Sequence, residues 1–125
     1  MARNETGEQS MTPLSPAVYH ILLVLARGER HGYGIMREVA ALSQGGVKLG
    51  PGTLYRTLRE MLDSGLIAES DERPDSAHDD ERRRYYALTD AGRRAAQAET
   101  LRMARLVEQA RANPGLGLPA IQEGR

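Results

Sequence analysis

Three short apolar stripes of helical period come first in this chain. Two strand-like runs and one long capped helix follow them, and that order leaves few folds open. Val18, Ile21, Leu22 and Leu25 fall at i, i+3, i+4 and i+7, the spacing that lines one helix face. They predict a first helix over 16–27, entered past Pro13 and stopped at Gly28. Ile35, Val39 and Leu42 mark a second helix after His31-Gly32-Tyr33-Gly34, ended by Gly45-Gly46. The third begins most sharply. Gly50-Pro51-Gly52 places a proline where its missing N–H costs nothing. Leu54, Leu58, Met61 and Leu62 form its stripe, and Gly65 closes it.

The runs 66–70 and 83–88 read as strands, the second through Tyr85-Tyr86. The polar stretch between them holds Pro74, Asp75 and Ser76 as turn formers. Together they predict a hairpin with a long charged tip. Thr89 then caps a helix running to about Arg111, with Asp90 in its first turn where a negative charge suits the helix dipole. Its inner stripe is Ala91, Ala95, Ala98, Met103, Leu106, Val107 and Ala110, and Asn113-Pro114-Gly115 stops it. The expected class is α+β: mainly helical with a small hairpin. Three short helices and a hairpin make a winged helix-turn-helix, here with a C-terminal dimerisation helix. The expected divisions are a flexible arm over 1–13, the winged domain over 14–89, the dimerisation helix over 90–112 and a flexible tail over 113–125.

Composition removes several classes of function. There is no cysteine, so thiolate metal sites, disulfides and a cysteine nucleophile are out. His20, His31 and His78 show no metal-ligand spacing. No nucleophile–base pair or phosphate loop is visible; Gly50-Pro51-Gly52-Thr53 lacks the downstream lysine of a P-loop. The expectation is no enzyme, no cofactor and no metal. The polar first ten residues do not read as a signal peptide. The longest apolar run, 21–26, is far too short to cross a bilayer. The cytoplasm is the expected compartment.

Seventeen basic residues balance 17 acidic ones, so net charge is zero. The distribution says more than the sum. Acids gather at Asp71, Glu72, Asp75, Asp79, Asp80 and Glu81, and Arg82, Arg83 and Arg84 follow at once. In a winged helix-turn-helix the third helix leads with its N-terminal residues into the major groove of double-stranded DNA. Thr53, Arg56 and Arg59 lie on its polar face, and arginine can fork to guanine O6 and N7. Arg82, Arg83 and Arg84 would meet phosphates from the wing, or else pair with the neighbouring acids. Ala95, Ala98, Met103, Leu106, Val107 and Ala110 of the last helix suit a two-fold interface. Such a dimer would set two third helices roughly 34 Å apart on DNA. The competing reading is a winged-helix protein-interaction module that makes no direct DNA contact.

Four pieces, in order and at compatible spacing, resemble the PadR family of transcriptional regulators. They are His31-Gly32-Tyr33-Gly34-Ile35, then Leu49-Gly50-Pro51-Gly52-Thr53-Leu54-Tyr55, then Gly65-Leu66-Ile67, then residues 83–92 with Tyr85-Tyr86-Ala87-Leu88-Thr89-Asp90-Ala91-Gly92. The resemblance covers about 14–111, and the single helix after the wing is similar to the smaller PadR subgroup. It implies a homodimeric repressor on a palindromic operator, released in at least some members by a small-molecule inducer. It also implies that Tyr33, Thr53, Tyr55, Arg56 and Arg59 lie near DNA. The chain has no Phe and no Trp, so its last helix offers no aromatic of that kind for stacking a planar drug.

Overall fold

In the computed structural model, which describes residues 13–70 and 84–119, the predicted succession of elements is present with one addition. Helix α1 spans Pro16–Leu25, strand β1 Arg30–His31, α2 Gly32–Leu42, α3 Pro51–Asp63, β2 Ile67–Ser70, β3 Tyr85–Leu88 and α4 Asp90–Arg111. A 3₁₀ turn, Pro114–Leu116, follows. The three strands form one antiparallel sheet in the order β1-β3-β2. The fold is the α+β winged helix, and its sheet has three strands where the sequence pattern announces two.

Local chemistry explains most boundaries. The Ser15 hydroxyl accepts from the Val18 N–H at 3.1 Å and caps α1, with Pro16 in the first turn. Helix α2 is capped by an imidazole: His31 Nδ1 accepts from the Gly34 N–H at 3.1 Å. That bond requires an unprotonated Nδ1. Thr89 Oγ1 accepts from the Gly92 N–H at 3.0 Å and donates to the Gly65 carbonyl at 2.6 Å. The cap of α4 is thereby tied to the end of α3. Gly65 sits at φ +79°, in the left-handed region that ends a helix cheaply only at glycine.

The core is one cluster: Ile21, Leu22, Val24 and Leu25 of α1, Ile35 and Val39 of α2, and Leu54, Leu58 and Met61 of α3. Leu66, Ile67, Tyr86, Ala95 and Ala96 complete it. Helix α4 packs on this cluster only through its first half, where Gly92, Ala95, Ala96 and Glu99 are buried. A Cβ on Gly92 would run into the Leu66 carbonyl oxygen, so this glycine sets how closely α4 approaches the sheet.

Three expectations change here. β1 has two residues, too few for a periodic signal, and it exists because Arg30 and His31 pair with Tyr86 and Tyr85 of β3. Ala95, expected at a dimer interface, is 5% exposed and lies in the protomer's own core. Residues 113–119 depart from the shapeless tail that the sequence suggests. Asn113 Oδ1 accepts from the Gly115 N–H at 2.9 Å, Gly117 takes φ +61°, and Arg111 donates to the Pro119 carbonyl at 3.2 Å.

Candidate nucleic-acid interface

The exposed side of α3 carries Thr53, Tyr55, Arg56 and Arg59, while Leu54, Thr57, Leu58 and Met61 face the core. Gly50 caps the helix without a side-chain bond. A Cβ at Gly50 or at Gly52 would meet nothing within 4 Å. Internal packing therefore does not demand these glycines; what they leave is a bare helix start with free N–H groups.

Tyr55 and Tyr33 connect this face to the start of α2. The Tyr55 ring end lies against Gly32, and a Cβ there would collide with the phenol. Next to Gly32, the Tyr33 ring stacks on His31 with centroids 6.5 Å apart and 9° between planes. The Arg37 guanidinium lies 5.7 Å from the Tyr33 centroid. On its other side His31 meets Tyr85 edge-on at 5.4 Å. One imidazole thus caps α2, supports Tyr33 and touches β3. Arg30 and Arg27 both bind Glu38. The Arg30 hydrogen bond, first among these contacts, holds the Glu38 carboxyl below its ordinary range.

Of the three wing arginines singled out from the sequence, Arg84 is exposed and pairs with Glu69 at 3.2 Å. Arg82 and Arg83 lie outside the described residues. Arg84 immediately precedes β3, two residues before Tyr86, and Glu69 sits opposite Tyr86 in register. With Tyr55, Leu58, Arg59 and Leu62 of α3 they line one cleft. The structure therefore brings Tyr55, Arg59 and Arg84 together and leaves Thr53 and Arg56 on the outer side of α3. Tyr86 and Glu69 escaped the sequence reading. The period of two along β3 could have flagged Tyr86; the partnership with Glu69 needed the strand register.

The last helix supplies the other surface. Leu106 and Val107 are 55% and 54% exposed, Ala98 is exposed, and Met103 and Ala110 are half-buried. Leu101, Leu116 and Leu118 are also exposed. Glu99 is also missed by the sequence reading. It is 2% exposed and takes two hydrogen bonds from Arg102, at 3.0 and 2.6 Å. The Arg102 bonds, ahead of the opposing effect of burial, push its carboxyl below the ordinary range.

Comparison with known proteins follows the same geometry. The sequence profile of the transcriptional regulator PadR-like family matches residues 21–98, from the middle of α1 to the buried half of α4. The chain belongs to the PadR-like family. Membership sets this PadR-like chain among transcriptional regulators rather than enzymes. A transcriptional regulator of Mycobacterium tuberculosis is 41% identical over 76 residues, 61% of this chain and 64% of that protein. An uncharacterised 37.1 kDa protein from a transposon of Streptomyces fradiae is 36% identical over 86 residues, 69% of this chain but 22% of that protein. The PadR-like chain thus spans less than two thirds of either relative's length. Among solved structures, RosR of Halobacterium salinarum superposes with a TM-score of 0.60 at 25% identity, covering 86% of this chain and 99% of that one. Bacillus subtilis PadR in complex with operator DNA gives 0.58 at 23% identity, covering 69% and 46%. At that identity the likeness speaks for the fold.

Among the described residues, no group of three or more histidines or carboxylates could hold a metal, and no helix is long and apolar enough to cross a membrane.

Proposed function

We propose that this chain is a sequence-specific DNA-binding transcription regulator that acts as a homodimer in the cytoplasm. The observation that carries the reading is the α3 surface: Thr53, Arg56 and Arg59 exposed behind an unobstructed helix start, flanked by Tyr33, Tyr55 and Arg84. Arg56, on the outer side of α3, reads a base edge. Arg59 and Arg84 serve the backbone, where contact is electrostatic and salt-sensitive. The family resemblance adds repression at a palindromic operator and release by a small molecule.

Dimerisation rests on the outer half of α4. Leu106 and Val107, with Ala98, Met103 and Ala110, form the seam; a two-fold axis through it repeats α3 at roughly one DNA turn.

Selection of random duplexes by the purified protein at two salt concentrations tests the reading. A palindromic enriched site is the expected result. Only weak binding that salt removes, with nothing enriched, would favour a protein-interaction module instead. On the enriched site Arg56→Ala costs about 1–3 kcal/mol and relaxes one position of each half-site. Unchanged affinity and specificity in that variant would sink the assignment of Arg56.

A further inference from the structure

The cleft between α3 and the sheet has a volume of about 530 Å³. Tyr86 contributes to it yet is only 4% exposed. Its ring packs in the core, and among the described residues its hydroxyl has no hydrogen-bond partner. A buried hydroxyl without a partner is unusual enough to require a reason. The groups acting on it are Glu69, Tyr55, Arg84 and Arg59, all of which line the cleft. Burial, the leading cause, pushes its ionisation above the ordinary tyrosine range. The phenol is therefore a neutral donor at physiological pH.

Two cations share that space. Arg59 has no ion pair among the described residues. Arg84 is paired with Glu69, but the side chains are 63% and 41% exposed, so the pair is weakly held. A phenol O–H and two guanidinium groups line one opening, together with the Glu69 carboxylate that pairs with Arg84.

We propose that this cleft is an oxyanion subsite that takes one backbone phosphate of bound DNA, held by the Tyr86 hydroxyl and by Arg59 and Arg84. Glu69 releases Arg84 and turns to solvent when the phosphate enters. Tyr86 contributes what the exposed arginines cannot: a donor fixed in place by core packing, which sets the depth of the wing on the duplex. The subsite rests on the DNA-binding reading above, since free inorganic phosphate has the same chemistry but lacks a duplex to seat it between helix and wing.

Tyr86→Phe removes the hydroxyl alone. On the selected duplex its affinity should fall about tenfold, with an unchanged salt slope because a neutral group is lost. Arg59→Ala should flatten that slope by about one. Replacing single phosphates by methylphosphonate should reveal one position that weakens wild-type binding and weakens Tyr86→Phe no further. The thermal midpoint of Tyr86→Phe should equal or exceed that of wild type, because the hydroxyl has no partner to lose. Wild-type affinity in Tyr86→Phe, or a lowered midpoint with DNA affinity intact, would overturn the subsite and leave the DNA-binding reading standing. A wild-type protein that selects no duplex would overturn both. Saturable shifts of Tyr86 resonances by inorganic phosphate at constant ionic strength, with DNA affinity unmoved by the substitution, would also overturn it, in favour of a free anion.

Discussion

The two halves of α4 carry apolar residues at the same helical spacing and do opposite things with them. In the first half the stripe is made of Gly92, Ala95 and Ala96, all buried. In the second it is made of Met103, Leu106, Val107 and Ala110, all exposed or half-buried. Small side chains occur where the helix backbone comes close to the sheet, as Gly92 does over the Leu66 carbonyl. Large ones occur where the helix has left its own domain. Periodicity says that a helix has an apolar face. The size of the residues along that face says which part of it the protomer covers itself. A partner-free helix of this kind exposes contiguous apolar surface, which soluble chains seldom leave open.

That contrast can be broken at either end. The largest effect belongs to the buried half. Gly92→Ala puts a methyl group onto the Leu66 carbonyl, and forced backbone shifts of this sort cost about 3 kcal/mol. Chemical denaturation would show it as a lowered midpoint; an unchanged midpoint would mean that α4 is free to move away from the sheet. In the exposed half, Leu106→Asp should leave monomer stability nearly unchanged and weaken self-association at least about a hundredfold, because it brings a charge into an apolar seam on both copies. Analytical ultracentrifugation checks this, and a dimer of wild-type strength in that variant would move the interface elsewhere.

The smallest effect lies at the border between the halves. Glu99 has a carboxyl lowered first by its Arg102 bonds. A carboxylate with a depressed folded-state pKa stabilises the fold above its unfolded pKa, and that contribution is lost as pH falls through the folded value. Glu99→Gln should therefore lower the thermal midpoint at pH 7 by less than Gly92→Ala does. The gap from wild type should close as pH falls below the ordinary carboxylate range and the wild-type carboxyl is protonated. A gap that stays constant with pH would mean that the pair contributes packing rather than charge.

Much of the fold was legible because its signals are local. Thr89 caps a helix three residues ahead of its partner. Pro51 opens α3, and Gly28 and Gly65 close helices at positive φ. The exposed face of α3 followed from the burial of Leu54, Leu58 and Met61 on the other side. The cap on α2 was less obvious, since an imidazole serves as acceptor there in place of a hydroxyl or carboxylate.

What remained hidden depends on contacts between distant residues. β1 takes its existence from a register with β3 more than fifty residues away. Ala95 looked like part of the outward stripe until α1 and the sheet closed over it. Glu99, a charged residue in a helix, reads as solvent-facing; it is buried where α4 packs on α1, and the neighbouring turn is held to α1 by the Tyr19–Thr100 bond of 2.6 Å.

The amino-acid order alone thus determined which segments are helices, where each begins and ends, and which side of α3 faces outward. Those properties follow from caps, prolines, glycines and period, all set within one or two turns of chain. Only the tertiary structure decided that Tyr86, Glu69, Arg84 and Arg59 share a cleft, and that α4 is half core and half free surface. Burial and electrostatic environment belong to neighbours in space, and here those neighbours come from strands and helices far apart in the chain.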